Sequence, residues 1–189
     1  VVLGFAVAAV VAYADLEKEV YLLGALMSGY GLASLVAIQL AKGGRSNNML
    51  SHIVGDFSGM PEIMKKLALA QFFSWSALFI MWIYTTPVVA QYVFGSSDPA
   101  SAAYNEGGNW VGILFAVYNG VAALAALFLL PKLAARFGKV KTHMACLLAG
   151  SAGFAAFLFI RDPQMLLLAE IGIGIAWASI LAMPYAILA

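Results

Sequence analysis

One stretch of the sequence places an amide, a hydroxyl and two indoles at helical spacing. Gln71, Ser74, Trp75 and Trp82 follow one another at intervals of three, one and seven residues. Because each residue of an α-helix advances about 100°, these four side chains are expected within about 60° of one line along the helix. The opposite side of the same helix is predicted to be apolar and aromatic, with Phe73, Ile80 and Tyr84.

This combination of groups suits non-covalent binding of a polyhydroxylated ring. A pyranose has apolar C–H faces that can lie on an aromatic ring, and its hydroxyl rim needs donors and acceptors. A pocket of this kind has mainly apolar walls and a few placed polar groups, and Gln71 can both donate and accept. We therefore predict Gln71, Ser74, Trp75 and Trp82 as sugar-binding residues. The alternative is that the indoles pack in a core and that the hydroxyls bond their own backbone.

Three further polar or aromatic groups lie inside later apolar runs. Asn119, in "VYNG", either faces a cavity or bonds a neighbouring helix, and Trp177 shares a helix face with Glu170. We add Asn119 and Trp177 to the predicted substrate-binding residues. Glu170 is a candidate coupling site, because a charge at membrane depth is by default a functional candidate. The alternative is that Glu170 pairs with Arg161 near the outer connector.

The elements that carry these groups are apolar helices. The 189 residues are 63% hydrophobic and 10% charged, against about 25% charged in a typical soluble domain. A transmembrane helix needs roughly 20 apolar residues. The composition predicts an all-α, polytopic transmembrane helix bundle with about six membrane segments: Val1–Tyr13, Val20–Ala41, Leu67–Val93, Trp110–Leu130, Met144–Ile160 and Met165–Ala189.

The charges predict the side on which each connector lies. Eight of the ten basic residues fall on two connectors, one before Leu67–Val93 and one after Trp110–Leu130. Cytoplasmic loops are enriched in Lys and Arg, so the last four segments are expected to run outward, inward, outward and inward. Residues 48–66 are too polar to span and are predicted as a cytoplasmic amphipathic linker. It separates two hydrophobic helices in residues 1–47 from a bundle in residues 67–189.

Nothing in the sequence indicates catalysis. There is no nucleophile–base pair, metal-ligating cluster or glycine-rich phosphate loop, and the single cysteine, Cys146, excludes a disulfide within the chain. We predict no enzyme activity, no cofactor, no metal and no nucleic-acid partner.

One connector resembles a known transporter motif. "PKLAARFGKVK", residues 131–141, is similar to the cytoplasmic loop motif of the major facilitator superfamily. The resemblance implies that Arg136, Gly138 and Lys139 belong to a conformational loop. Pro131 replaces the usual glycine and Ala135 replaces the usual aspartate, so the carboxylate of the motif's charge relay is absent.

Two further motifs resemble the glycoside and sucrose branch of that superfamily. They are Ser74-Trp75 in a Phe-rich helix that ends in "YVFG", and "IAWASILAMPYAILA" near the end of the chain. The resemblance covers about residues 60–189 and implies a partial major facilitator fold, truncated at both ends, that holds the first four helices of the C-terminal six-helix bundle. The first two segments would be helices five and six or an inserted pair. In this branch an apolar residue is usual at the position of Glu170.

The resemblance also implies a function. The expected protein is a secondary active transporter in a bacterial inner membrane, which moves a disaccharide such as sucrose or maltose with a coupling cation, a proton, by alternating access. A facilitator of another solute, including drug efflux, is the alternative within the superfamily. A polytopic membrane enzyme or a structural membrane subunit is the alternative of another class.

Overall fold

The chain folds into helices joined by short connectors. The computed structural model describes residues 1–14, 17–44 and 47–189, and this part contains helices and no strand. In chain order the helices are α1 (Val2–Tyr13), α2 (Val20–Lys42), α3 (Met49–Ser58), α4 (Glu62–Tyr92), α5 (Ala102–Leu124), a π-helical turn (Ala125–Leu129), α6 (Leu130–Phe137), α7 (Lys139–Ala156) and α8 (Pro163–Leu188). The predicted all-α class is confirmed.

Four stretches of the described residues are long and apolar enough to cross a membrane. They are α2, α4, the continuous run Ala102–Phe137, and α8. The other two predicted segments form α1, which has 12 residues, and α7, which has 18. The count of about six membrane segments therefore stays a prediction.

Residues 1–61 form one compact unit. Here α1 packs on α2, and the Tyr30 and Phe57 rings, 5.2 Å apart, join α2 to α3. The Asn48 side chain caps α3 by accepting a 2.9 Å hydrogen bond from the Ser51 backbone N–H. Since α3 ends before Pro61 and α4 begins at Glu62, the last residues of the predicted 48–66 linker belong to the long helix α4.

Residues 62–189 form the second unit, in which α4 has the two faces expected from its sequence. Leu78, Met81 and Val89 are buried, whereas Phe73, Ile80 and Tyr84 are more than half exposed. A helix whose exposed face is this apolar fits contact with lipid rather than water.

The helix expected over Trp110–Leu130 is longer at both ends than predicted. It begins at Ala102, where the Ser101 hydroxyl accepts a 3.1 Å hydrogen bond from the Tyr104 N–H. At the other end it continues through the π-helical turn and α6 to Phe137. Pro131 has no N–H to donate to the carbonyl four residues earlier. The helix accommodates it by a shift to five-residue hydrogen bonding, with Leu130 N–H on Ala125 O.

Close contact between α7 and α8 depends on glycines. A Cβ on Gly153 would lie 2.9 Å from Ile173 Cγ1, and a Cβ on Gly172 would lie 3.2 Å from the Ala149 backbone carbon. Small residues that let helix backbones approach closely are typical of helix pairs in membranes. This packing fixes how α8 presents its other faces to α4 and α5.

Candidate functional site

The predicted indoles meet in one cluster. Trp75 and Trp82 of α4 and Trp177 of α8 lie with ring centroids 6.4, 5.7 and 5.9 Å apart, and all three pairs are edge to face. Each residue lies near the middle of its helix, and each is half-buried. Edge-to-face geometry is the favoured arrangement of aromatic pairs, so the cluster is a stable partly exposed aromatic surface.

A residue that the sequence analysis missed anchors this indole cluster. The Trp82 Nε1–H donates a 3.1 Å hydrogen bond to the hydroxyl of Tyr118, which is buried in α5. A half-buried indole needs an acceptor for its N–H. The available signal was the tyrosine beside Asn119 in "VYNG", because a polar tip at mid-depth needs a partner.

Asn119 and Trp177 line one open groove of about 320 Å³ between α5 and α8. The rest of its wall is alanine and leucine: Ala122, Ala123, Ala126, Ala178, Leu181 and Ala182. The Asn119 side-chain nitrogen donates to its own backbone at Phe115 O, 2.8 Å away, so the bond uses the donor end of the amide. The groove thus offers an indole, an amide and an otherwise apolar lining.

Ser74 lies in a different cavity. It lines a space of about 330 Å³ between α4, α7 and α8, whose other walls are mostly apolar. Its hydroxyl donates 2.8 Å to Ala70 O in its own helix, which is the backbone alternative stated above. The structure therefore groups Trp75, Trp82, Trp177 and Asn119, and leaves Ser74 apart from them.

The Gln71 side chain supplies a hydrogen bond that the backbone of α8 lacks. Its Nε2 donates to Ile180 O at 3.3 Å, and its Oε1 is buried without a hydrogen-bond partner. The helical donor to Ile180 O would be the residue at position 184, which is proline and has no N–H. Pro184 lies inside a continuous α8, which is tolerated where a neighbouring helix satisfies the freed carbonyl.

Gln71→Leu is expected to lower the free energy of unfolding by about 1–3 kcal/mol, because Ile180 O is then buried without a donor. In a Pro184→Ala background the new backbone N–H supplies that donor, so the same substitution should cost much less. Thermal unfolding in detergent of the natural protein, the two single variants and the double variant gives the coupling free energy between Gln71 and Pro184. Equal losses in both backgrounds would show that Gln71 does not serve this carbonyl.

Glu170 is buried completely in α8. Neither carboxylate oxygen has a hydrogen-bond partner among the described residues. The alternative that it pairs with Arg161 is wrong: Arg161 donates to the carbonyls of Phe157, Leu158 and Ile160, and its guanidinium lies 5.5 Å from the Tyr92 ring centroid. The unpaired carbonyls at the end of α7 are the nearer acceptors for that guanidinium.

The loop that carries the transporter motif is a single residue long. Gly138 separates α6 from α7 with φ 84° and ψ 156°, a conformation open essentially to glycine alone. Lys139 Nζ donates to Ala186 O near the end of α8, where a cation also complements the helix dipole. Arg136 lies over the Phe137 ring at 5.1 Å. The residues from Pro131 to Phe137 are helical because Leu, Ala and Arg are strong helix formers.

A second polar contact joins α7 to α8, and the sequence analysis assigned it no role. His143 Nδ1 lies 2.8 Å from Ser179 Oγ, and both side chains are buried. Ser179 points away from the groove that Trp177 lines, as its position on the helix predicts. Within residues 1–14, 17–44 and 47–189, no group of three His, Cys, Asp or Glu side chains is placed to hold a metal ion.

The fold and the site together define a class: an all-helical protein with apolar helices of membrane-spanning length around a mid-helix aromatic and amide cluster. Comparisons with protein-family models, curated proteins and solved structures found no match. Membership of the major facilitator superfamily, which the sequence motifs resemble, therefore stays a prediction.

Proposed function

We propose that the chain is part of a secondary active transporter that moves a sugar across a membrane. The observation that carries the proposal is the indole cluster of Trp75, Trp82 and Trp177, which lies at mid-helix beside the groove lined by Asn119. Secondary transporters bind substrate near the bilayer midplane between helix bundles. A disaccharide such as sucrose or maltose is the proposed substrate, and a proton is the proposed coupling cation.

The chemistry of the groove supports a sugar. The half-buried Trp177 indole can cover the C–H face of a pyranose, while the Asn119 amide oxygen can accept from a ring hydroxyl. The alanines on the floor bring the helix backbone close without adding polar competitors. The volume of about 320 Å³ falls at the small end of ligand pockets, which is near 300 Å³. One sugar ring would occupy it, with the second ring beyond its open side.

The short loop supports alternating access. The hydrogen bond from Lys139 to Ala186 O joins the start of α7 to the end of α8. The basic residues predict that this end of the bundle is cytoplasmic. In alternating access, a contact of this kind would hold one conformation and break in the other. The proposal is thus a carrier of the facilitator type in a bacterial inner membrane, and not an enzyme.

A second candidate follows from the wall of the same groove. Its lining is mostly alanine and leucine, which also suits an apolar solute, so efflux of an apolar compound by the same type of carrier is the alternative.

Uptake by the natural full-length protein in proteoliposomes tests the proposal. With an inward proton gradient we expect saturable accumulation of labelled sucrose or maltose, and collapse of the gradient by an uncoupler should abolish the accumulation. Mannitol serves as the control solute. Absence of both sucrose and maltose uptake, together with export of an apolar dye, would contradict the sugar proposal and favour the alternative.

A further inference from the structure

Glu170 is the one carboxyl group that α8 contributes to the bundle interior, and all of it is enclosed. Its exposed fraction is zero, and both oxygens are buried without a partner. Its neighbours along α8 define the surroundings: Leu166 packs with Val111 and Leu114, and Ile173 packs with Leu78 and Tyr118. The group lies between two apolar clusters and lines neither of the two cavities described above.

No cation approaches this carboxyl from the elements packed against α8, which are α4, α5, α7 and the π-helical turn. Of the other titratable groups, Tyr118 accepts from Trp82 and His143 bonds Ser179. Cys146, Tyr84, Tyr92 and Tyr104 make no hydrogen bond with Glu170. The charged side chains of α4 to α7 are exposed: Glu62, Lys65, Lys66, Glu106, Lys132, Arg136, Lys139 and Lys141.

An ionised carboxylate is unfavourable in this enclosed apolar site. An ionised group that is buried without a counter-ion or hydrogen bond loses its hydration and regains nothing, and it responds by taking up a proton. Enclosure without a partner therefore favours the neutral carboxylic acid over the carboxylate. Ionisation requires the helices around it to separate and admit water.

We propose that Glu170 is the proton-carrying site of the transporter, an assignment that rests on the sugar-carrier function proposed above. The carboxylate takes a proton from water on one side to become the acid, the bundle closes around it, and the acid returns the proton to water on the other side. No covalent bond other than the O–H bond is formed or broken. The bundle can close only over the protonated group.

The location of Glu170 explains how the proton and the sugar are coupled. Trp177 follows it by seven residues on the same face of α8, a rise of about 10 Å at 1.5 Å per residue. Gly174 lies between them, and a Cβ there would be 2.8 Å from Val121 Cβ of α5. A movement of α8 against α5 that opens the groove therefore also changes the access of water to Glu170.

Glu170→Gln in the full-length protein tests the assignment, because glutamine keeps the shape of the acid and cannot release a proton. We expect proton-driven accumulation of the sugar to fall at least tenfold, while exchange of internal for external sugar at equal pH stays within about threefold of the natural protein. Glu106→Gln, which removes an exposed carboxylate of α5, should leave both activities unchanged. Size-exclusion profiles verify that each variant is folded.

Each outcome separates the two proposals. Accumulation by Glu170→Gln at the natural level would overturn the proton site and leave the sugar carrier intact. Absence of sugar exchange in the natural protein would overturn the carrier and the proton site that rests on it. If Glu170→Gln fails to fold, Glu170→Asp decides: it should accumulate sugar with a displaced pH profile, and an unchanged profile would overturn the assignment.

Discussion

Trp177→Ala is expected to raise the sugar concentration for half-maximal uptake by about two- to tenfold. The substitution removes the indole that lines the groove and would cover the face of the sugar ring. If that contact contributes about 0.5–1.5 kcal/mol, as aromatic contacts do, the loss follows from a factor of about ten in affinity for each 1.4 kcal/mol. Uptake measured over a range of sugar concentrations in proteoliposomes gives the effect.

Two matched variants define what this result means. Trp75→Ala removes a ring that supports Trp177 without lining the groove, so it should act in the same direction with a smaller effect. Phe72→Ala removes an exposed aromatic ring from the outward face of α4 and should leave half-saturation unchanged. If Trp177→Ala and Phe72→Ala have the same half-saturation, the indole cluster is a packing feature and the binding site lies elsewhere.

The orientation of α4 could be predicted from the sequence, and the reason is geometric. A helix has one period, so the spacing of Gln71, Trp75 and Trp82 is enough to place them on one side and Ile80 on the other. The structure has this division. The same periodicity placed Trp177 on one face of α8 together with Glu170.

Partners across helices could not be predicted in this way. Periodicity tells which face a side chain occupies, and it does not tell which neighbour the face meets. The hydrogen bond from the Gln71 side-chain nitrogen to the carbonyl that Pro184 leaves free could not be predicted, and the role of Gln71 in sugar binding stays a prediction. The contacts of His143 with Ser179 and of Trp82 with Tyr118 were missed for the same reason.

The ends of the helices also could not be predicted accurately from the sequence. The sequence predicts a loop from Pro131 to Lys141, because this connector is basic and resembles a cytoplasmic loop motif. In the structure Gly138 is the one residue of this connector that lies outside a helix. Lys and Arg are good helix formers, and the π-helical turn accommodates the missing N–H of Pro131. The alternative that Glu170 pairs with Arg161 is wrong for a related reason. Separation along the chain does not give the direction in which either side chain points.

The proposed carrier requires helices that cross a bilayer in alternating directions. Asp98 precedes α5 and Lys141 follows α6, so they lie at opposite ends of the continuous helical run Ala102–Phe137. That run has 36 residues, which at about 1.5 Å per residue is longer than the roughly 30 Å hydrocarbon core of a bilayer. Both side chains are exposed, so a cysteine at either position should be reactive wherever water reaches it.

Sidedness of labelling is the direct measurement. Asp98→Cys and Lys141→Cys are made separately with Cys146→Ser in the full-length protein, treated with a membrane-impermeant maleimide in intact cells and in inside-out vesicles, and the labelled peptides are identified by mass spectrometry. We predict that position 98 is labelled only in intact cells and position 141 only in inside-out vesicles. Labelling of both positions from the same side would contradict the membrane topology and, with it, the proposed carrier.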